Sequence, residues 1–369
     1  MINAAQLASL IEFAVQPDVT TKIIRVLLMR RTMSFLALSC FSAMAFAKQP
    51  LAIVIHGGAG TINKSQMTDA QEQAYHATLK HAVDTGYAVL EKGGSSVDAV
   101  TAAVLIMEDS PLFNAGKGAV YTYDEGHELD ASIMRGDNLM AGAASGLKHV
   151  KNPVLLARAV MEKSEHVMLS GAGAEQFAKE QGLQLVENSY FDTSFRYDAL
   201  KKAKQSMQKV PHQAKNYRLE APWQPEWNMG TVGAVAIDST GLLTAATSTG
   251  GMTAKRYGRI GDAPIIGAGN FADNASCAVS ATGHGEFFIR YRVASDICAR
   301  VKYQGISADK AADQVIQHEL AKVGGAGGVI LIDHKGKVSW SFNTEGMYRA
   351  KRSEGEAAVT EIFKQSSAK

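Results

Sequence analysis

The sequence predicts an α/β fold in which sheet and helix stack in layers, on three observations. Short β-prone apolar runs occur in both halves of the chain. Amphipathic stretches with clear start and stop signals lie between them. The two kinds of element do not alternate regularly, as a doubly wound nucleotide fold would require. The 369 residues are 46% hydrophobic and 20% charged, with 34 Gly and 8 Pro. That composition supplies a core and excludes disorder, collagen and coiled coil.

Residues 51–56 (LAIVIH) form a continuous apolar run broken by Gly57 and Gly58, the pattern of a buried strand. Thr68 and Gln71 make a capping-box pair before a helix carrying Tyr75, Leu79, Val83 and Leu90, which stops at Gly93 and Gly94. Ser95 with Asp98 opens a second helix, rich in Ala and Val, ending at Asp109-Ser110-Pro111. Residues 127–134 and 139–144 read as strands around a turn at 136–138. Asn152 as cap and Pro153 in the first turn start a helix over 154–163. Residues 188–228 carry five lysines, unpatterned aromatics and three prolines, and read as a solvated linker with room for a short helix. Beyond it, 231–237, 242–249, 263–269 and 275–282 are predicted strands. Helices follow over 286–303 and 308–321, then a hairpin of 328–332 and 337–342 turning at 333–336.

The amino terminus reads as an address. Arg30 and Arg31 precede a short apolar run that ends Ala45-Phe46-Ala47, the order of a secretory signal. The run is shorter than the about 20 residues a membrane span needs, so no membrane partner is expected. Residues 29–47 are expected to be a cleaved signal peptide, residues 1–28 an upstream extension, and the mature chain to begin near Lys48 in the periplasm or outside the cell. The alternatives are an amphipathic helix that stays attached and a cytoplasmic protein. Residues 1–47 hold four Lys/Arg and two acids, so the remainder balances at 34 of each, with no basic excess for nucleic acid. Of three cysteines, Cys277 falls in a strand-like run and Cys298 in a helix. They read as two buried, unreactive thiols rather than a disulfide.

Common catalytic signatures are missing. HExxH, GxxxxGK[ST] and GxSxG do not occur, Gln176 spoils the dinucleotide fingerprint begun by Gly171 and Gly173, and no spacing among the ten histidines demands a metal. What remains is a threonine- and glycine-dense block: NMGTVGAV at 228–235, ATSTGG at 246–251, GRIGD at 258–262 and ATGHGE at 281–286. Each piece alone fits ordinary strand and turn chemistry. Together they deliver a Gly-Thr bond from a linker to the start of a buried strand, with three further Thr/Gly clusters close behind. A threonine hydroxyl needs a base, and its own α-amine serves as one once the preceding bond is cut. The amine's ordinary pKa of about 7.7–8.0 leaves a useful neutral fraction near pH 7. Gly230 before Thr231 tolerates strain and leaves its carbonyl open to attack.

This block, with HGGAG at 56–60 and NTEGMYRA at 343–350, resembles the plant-type (type III) L-asparaginases and isoaspartyl aminopeptidases, N-terminal-nucleophile hydrolases that mature by self-cleavage. The resemblance covers nearly all of the expected mature chain except the linker. It implies a four-layer αββα sandwich and cleavage between Gly230 and Thr231. The products would be an α subunit of 48–230, with 188–230 a flexible linker, and a β subunit of 231–369. Both build one domain, and two αβ units would pair as a dimer. By resemblance Thr231 is the nucleophile, Thr249 tunes its hydroxyl and Asn114 orients the nucleophile region. Arg259 clamps the substrate α-carboxylate, for which a planar fork suits. Asp262 takes the α-ammonium, with Gly285 beside it, and Thr282 and Gly283 supply the oxyanion hole. For Arg259 and Asp262 the bland alternative is a surface ion pair. No catalytic cofactor is implied. A structural sodium ion is, held by main-chain carbonyls of Met107, Glu108, Ser110, Phe113, Ala115 and Lys117. The implied substrates are small β-aspartyl peptides and L-asparagine. Ala263 stands where the family pattern has serine, and His284 where a smaller residue is usual. Two other readings stay open: a glycosylasparaginase, whose precleavage residue is typically Asp rather than Gly, and an uncleaved periplasmic amino-acid-binding protein.

Overall fold

A computed structural model describes residues 49–209 and 230–364. The leader at 1–47 and the part of the linker at 210–229, with Asn228 and Met229, lie outside the described residues.

The large sheet is built from β1 (Ala52–Gly60), β2 (Leu129–Arg135), β3 (Ala141–Leu147), β4 (Met168–Ser170), β5 (Val232–Ile237), β6 (Leu243–Thr249), β11 (Gly346–Ser353) and β12 (Val359–Phe363). They lie in the order β12-β11-β1-β5-β6-β2-β3-β4. The small sheet holds β7 (Asn270–Ala272), β8 (Cys277–Gly283), β9 (Gly327–Asp333) and β10 (Val338–Phe342), ordered β10-β9-β8-β7. Helices α1 (Asp69–Glu91), α2 (Ser96–Glu108), α3 (Pro153–Lys163) and α4 (Gly171–Glu180) belong to the first half, and α5 (Ser194–Lys209) closes it. In the second half come α6 (Gly285–Tyr291), α7 (Val293–Gln304) and α8 (Ala308–Asp313), the last running on into a wider turn, Gln314–Leu320.

Strand alternation sorts side chains between layers. On β1, Ile53 and Ile55 face α1 and α2, where they join Leu79, Val83, Val100 and Val104. Ala52 and Val54 face the other sheet, among Val235, Ile237, Ala278, Ile330 and Ile332. The outer face of the small sheet, Cys277, Val279 and Ala281, packs on Ile297, Ala311 and Ile316. This is the αββα sandwich, and β1 reads as an unbroken apolar run because both of its faces are covered. Each fully buried Ile or Leu contributes roughly 1.5–3 kcal/mol.

Start signals behave as expected where a side chain reaches the backbone. Gln71 N donates to Thr68 Oγ1 at 3.3 Å and Thr68 N to Gln71 Oε1 at 3.0 Å. Asp98 N donates to Ser95 Oγ at 3.1 Å. Asn152 does not cap α3: its Nδ2 bonds Asp109 Oδ1, and the buried Glu108 carboxyl takes Val154 N at 3.0 Å instead.

Other expectations are corrected. Residues 263–269 are turns rather than a strand, because Ala268 N and Gly269 N bond back to Ile265 O. The helix expected over 286–303 is split at Arg292, which adopts a left-handed conformation at φ 51°. Residues 188–209 are not loose linker: α5 occupies most of them, with Leu200 and Ala203 packed on Tyr121 and Ala254. Cys277 and Cys298 form a disulfide between β8 and α7, with Cα atoms 5.3 Å apart. A strand and a helix distant in sequence dock there, which spacing alone does not reveal. Among the described residues no helix is long and apolar enough to cross a membrane.

Candidate active site

The entry to β5 is where the threonine block converges. Thr231 lies just before Val232 and is 7% exposed. β6 pairs antiparallel with β5, opposing Val232 to Ser248, so Thr249 reaches the same edge. Thr231 Oγ1 donates to Thr249 Oγ1 at 3.2 Å. Thr249 Oγ1 also accepts from Gly251 N at 2.9 Å and donates to the Gly230 carbonyl at 3.1 Å. Asn114 arrives on the loop after α2. Its Nδ2 donates to the Gly230 and Gly251 carbonyls, both at 2.7 Å, while Oδ1 accepts from Val120 N at 2.9 Å. Two fixed donors thus converge on the oxygen of the Gly230–Thr231 peptide. That geometry polarises the carbonyl beside a held hydroxyl and stabilises charge that develops on its oxygen.

A second cluster is ionic. Arg259 Nε and Nη2 donate to Glu286 Oε1 and Oε2, each at 2.9 Å. This bidentate pairing leaves the Nη1 edge of the fork for another partner. Arg259 is therefore not paired with Asp262 in a surface bridge; its partner is Glu286, and Asp262 is 5% exposed, its Oδ2 lacking a hydrogen bond among the described residues. Burial pushes the Asp262 carboxyl up to about 7, with the nearby Arg259 charge partly opposing the shift. A Cβ on Gly285 would lie 2.8 Å from Arg259 Nη2, so only glycine lets the guanidinium sit there. His284 Nε2 lies 3.3 Å from Glu286 Oε2, and burial lowers its pKa. The clusters meet through Asp130, the register partner of Thr249, which feels the Lys255 and Arg259 charges. Lys255 is itself buried, donating to Glu128 O at 2.8 Å.

Thr282 and Gly283 end β8 in the opposite sheet. Thr282 Oγ1 accepts from Ala59 N at 3.3 Å, which leaves its proton for a second partner. Gly283 sits where a Cβ would come within 2.6 Å of Ala326 O and the Phe288 ring.

The sequence profile described as Asparaginase matches residues 49–362. The chain belongs to the asparaginase family. It is 51% identical over 314 residues to the isoaspartyl peptidase of Escherichia coli, covering 85% of this chain and 96% of that one. The Salmonella typhimurium isoaspartyl peptidase is 49% identical over 314 residues, covering 85% and 98%. The isoaspartyl peptidase/L-asparaginase of Xenopus laevis is 42% identical over 296 residues, covering 80% and 90%.

In this asparaginase-family chain, the fold joins Gly230, Thr231, Thr249 and Asn114 by direct hydrogen bonds, and gathers Arg259, Asp262 and Gly285 into one buried charged cluster. Sequence reasoning gave no role to Glu286, although it closes the ATGHGE segment; an acid near a clamp arginine was the available signal. Nor did it see the Glu108 side chain. Burial pushes that carboxyl up to about 8, while Oε1 accepts from Ser248 Oγ at 2.6 Å. Ala263 is buried and offers its carbonyl to Ser132 Oγ at 2.6 Å.

Proposed function

We propose that this protein is a self-cleaving threonine hydrolase that removes N-terminal β-aspartyl residues from small peptides and hydrolyses L-asparagine to L-aspartate and ammonia. The convergence of Asn114 Nδ2 and Thr249 Oγ1 on the Gly230 carbonyl, beside the Thr231 hydroxyl, carries this reading. In maturation, Thr231 Oγ attacks the Gly230 carbonyl carbon and the Gly230–Thr231 bond shifts from nitrogen to oxygen. Water then hydrolyses the ester, freeing the Gly230 carboxylate and the Thr231 amine. In turnover that amine takes the hydroxyl proton and Oγ attacks the substrate β-carbonyl. The proton passes to the departing ammonia or peptide amine, and water releases aspartate from the β-aspartyl ester.

Arg259, held by Glu286, offers its remaining edge to the substrate α-carboxylate, and Asp262 receives the α-ammonium. Thr282 and Gly283 face the developing oxyanion. The names of the relatives support both the peptidase and the asparaginase reaction. Gly230 before the scissile bond supports the peptidase over a glycosylasparaginase.

A structural sodium ion belongs to the proposal. A Cβ on Gly116 would lie 2.2 Å from Glu108 O, and one on Gly118 would lie 2.1 Å from Phe113 O. These carbonyls turn into the loop that carries Asn114, a donor set suited to a hard cation. Met107, Glu108, Ser110, Phe113, Ala115 and Lys117 would hold it, and it would brace the loop without taking part in bond breaking. Two αβ units would pair as a dimer, in the periplasm or outside the cell. The order of the leader supports export, as does the Cys277–Cys298 bridge, since disulfides persist in oxidising compartments.

The test is an assay of wild type and Thr231→Ala on β-aspartyl dipeptide, L-asparagine and glycosylated asparagine. Turnover of the first two, lost in the variant, is expected. Activity confined to glycosylated asparagine, or retained by Thr231→Ala, overturns the reading.

A further inference from the structure

A buried polar row runs one strand step behind the site, and the mechanism above does not use it. Cross-strand pairing aligns His56, Gly233, Thr247 and Ser132 in one line across β1, β5, β6 and β2. In the small sheet Ser280 pairs with Asn270. The two lines meet in the sandwich interior. His56 Nε2 lies 2.9 Å from Ser280 Oγ, and Ser280 Oγ lies 2.8 Å from Thr247 Oγ1. Thr247 Oγ1 donates to Gly269 O at 3.2 Å and accepts from Asn270 Nδ2 at 3.3 Å, while Asn270 also reaches Ser132 O.

Three members are two residues from a site residue and share its face: Gly233 from Thr231, Thr247 from Thr249, and Ser280 from Thr282. His56, Thr247, Ser280 and Asn270 are all fully buried. Gly233 makes the meeting possible, since a Cβ there would lie 2.0 Å from Ser280 Oγ and 2.5 Å from His56 Nε2.

We propose that His56, Ser280 and Thr247 are positioning residues that set the distance between the strands carrying Thr231 and Thr249 and the strand carrying Thr282 and Gly283. This rests on the hydrolase reading and deepens it. An apolar interior would hold the two sheets together equally well but would let them slide. Directional bonds at one level fix their offset, and nucleophile and oxyanion donors need an offset held within a fraction of an ångström. The row holds its hydrogen bonds with a neutral imidazole, since burial pushes His56 down to about 3. The Thr231 main chain opposes that shift, while His56 Nδ1 makes no hydrogen bond among the described residues.

Ser280→Ala removes one hydroxyl and leaves the volume almost unchanged, so it is the sharpest probe; His56→Gln is the second, keeping an amide nitrogen within reach of Ser280. Rates are normalised to cleaved enzyme, and thermal melting checks folding. For Ser280→Ala the expected result is a fall in kcat of at least tenfold, with KM for L-asparagine within twofold of wild type. His56→Gln should retain more kcat than His56→Ala. A Ser280→Ala enzyme with kcat within twofold of wild type overturns the proposal, as does a loss carried by KM alone. Wild type that turns over neither substrate overturns the hydrolase reading instead, so the two failures are told apart.

Discussion

Asp262 is the residue whose environment most directly sets a measurable pH response. Its carboxyl is raised to about 7, so protonation below that pH removes the charge that would receive an α-ammonium. The apparent affinity for L-asparagine (1/KM) should therefore fall as pH drops through about 7, while kcat keeps a separate limb from the Thr231 amine. Asp262→Asn should raise KM about 10- to 100-fold, the loss of one charged hydrogen bond of about 1.5–3 kcal/mol, and abolish the limb in 1/KM. A limb unchanged in the variant would assign the titration elsewhere. Thr249 makes an equally local prediction. It is one of two donors on the Gly230 carbonyl. Thr249→Val should slow self-cleavage about 10²–10³-fold, which a time course on denaturing gels reads. Thr231 was legible because nucleophile chemistry restricts residue type: threonine after glycine at a strand entry narrows the options. Thr249 and Asp262 took their roles from the resemblance of the ATSTGG and GRIGD segments. Glu286 and Asp130 were not legible, because an acid's meaning depends on which cation the fold brings beside it.

At the scale of elements, the junction of α2, α3 and β6 hangs on one carboxyl. Glu108 caps α3 through Val154 N and holds Ser248, and its Oε2 has no hydrogen-bond partner among the described residues. The fold raises this group from 4.5 to about 8, so it favours the protonated form. Stability from Glu108 is therefore complete below about 4.5 and is lost as pH rises toward about 8. Glu108→Gln keeps the shape without the ionisation, and its melting temperature should vary less between those limits than that of wild type. Equal pH slopes would contradict this. Capping signals were readable where the cap lies three residues from its partner, as in Thr68 with Gln71. Asn152 failed as a cap because the buried Glu108 competes for the same amide from 46 residues away. The continuous helix expected over 286–303 failed because apolar spacing runs on while Arg292 turns left-handed. β11 and β12 went unpredicted: β11 carries Arg349, Lys351 and Arg352, whose charges mask the period until Arg349 is seen buried against Glu361.

For the whole molecule, the layered class was readable but the strand order was not. β1 pairs with β11 near one end of the chain and with β5 after the linker, and such pairings leave no local mark. The disulfide is a second long-range fact. It closes a 21-residue separation, and in the chain-entropy view that stabilises by about 3 kcal/mol. Cys298→Ser, or reduction, should lower the melting temperature by several degrees; an unchanged value would mean that the bridge does not form in the purified protein. Above these lies the claim that the sandwich is a device for making a threonine amine from its own backbone. Intact mass of the purified protein after incubation tests it most directly. Two chains parted between Gly230 and Thr231, with Thr231→Ala remaining whole and inactive, is the predicted result. A single unbroken chain at full activity would contradict it.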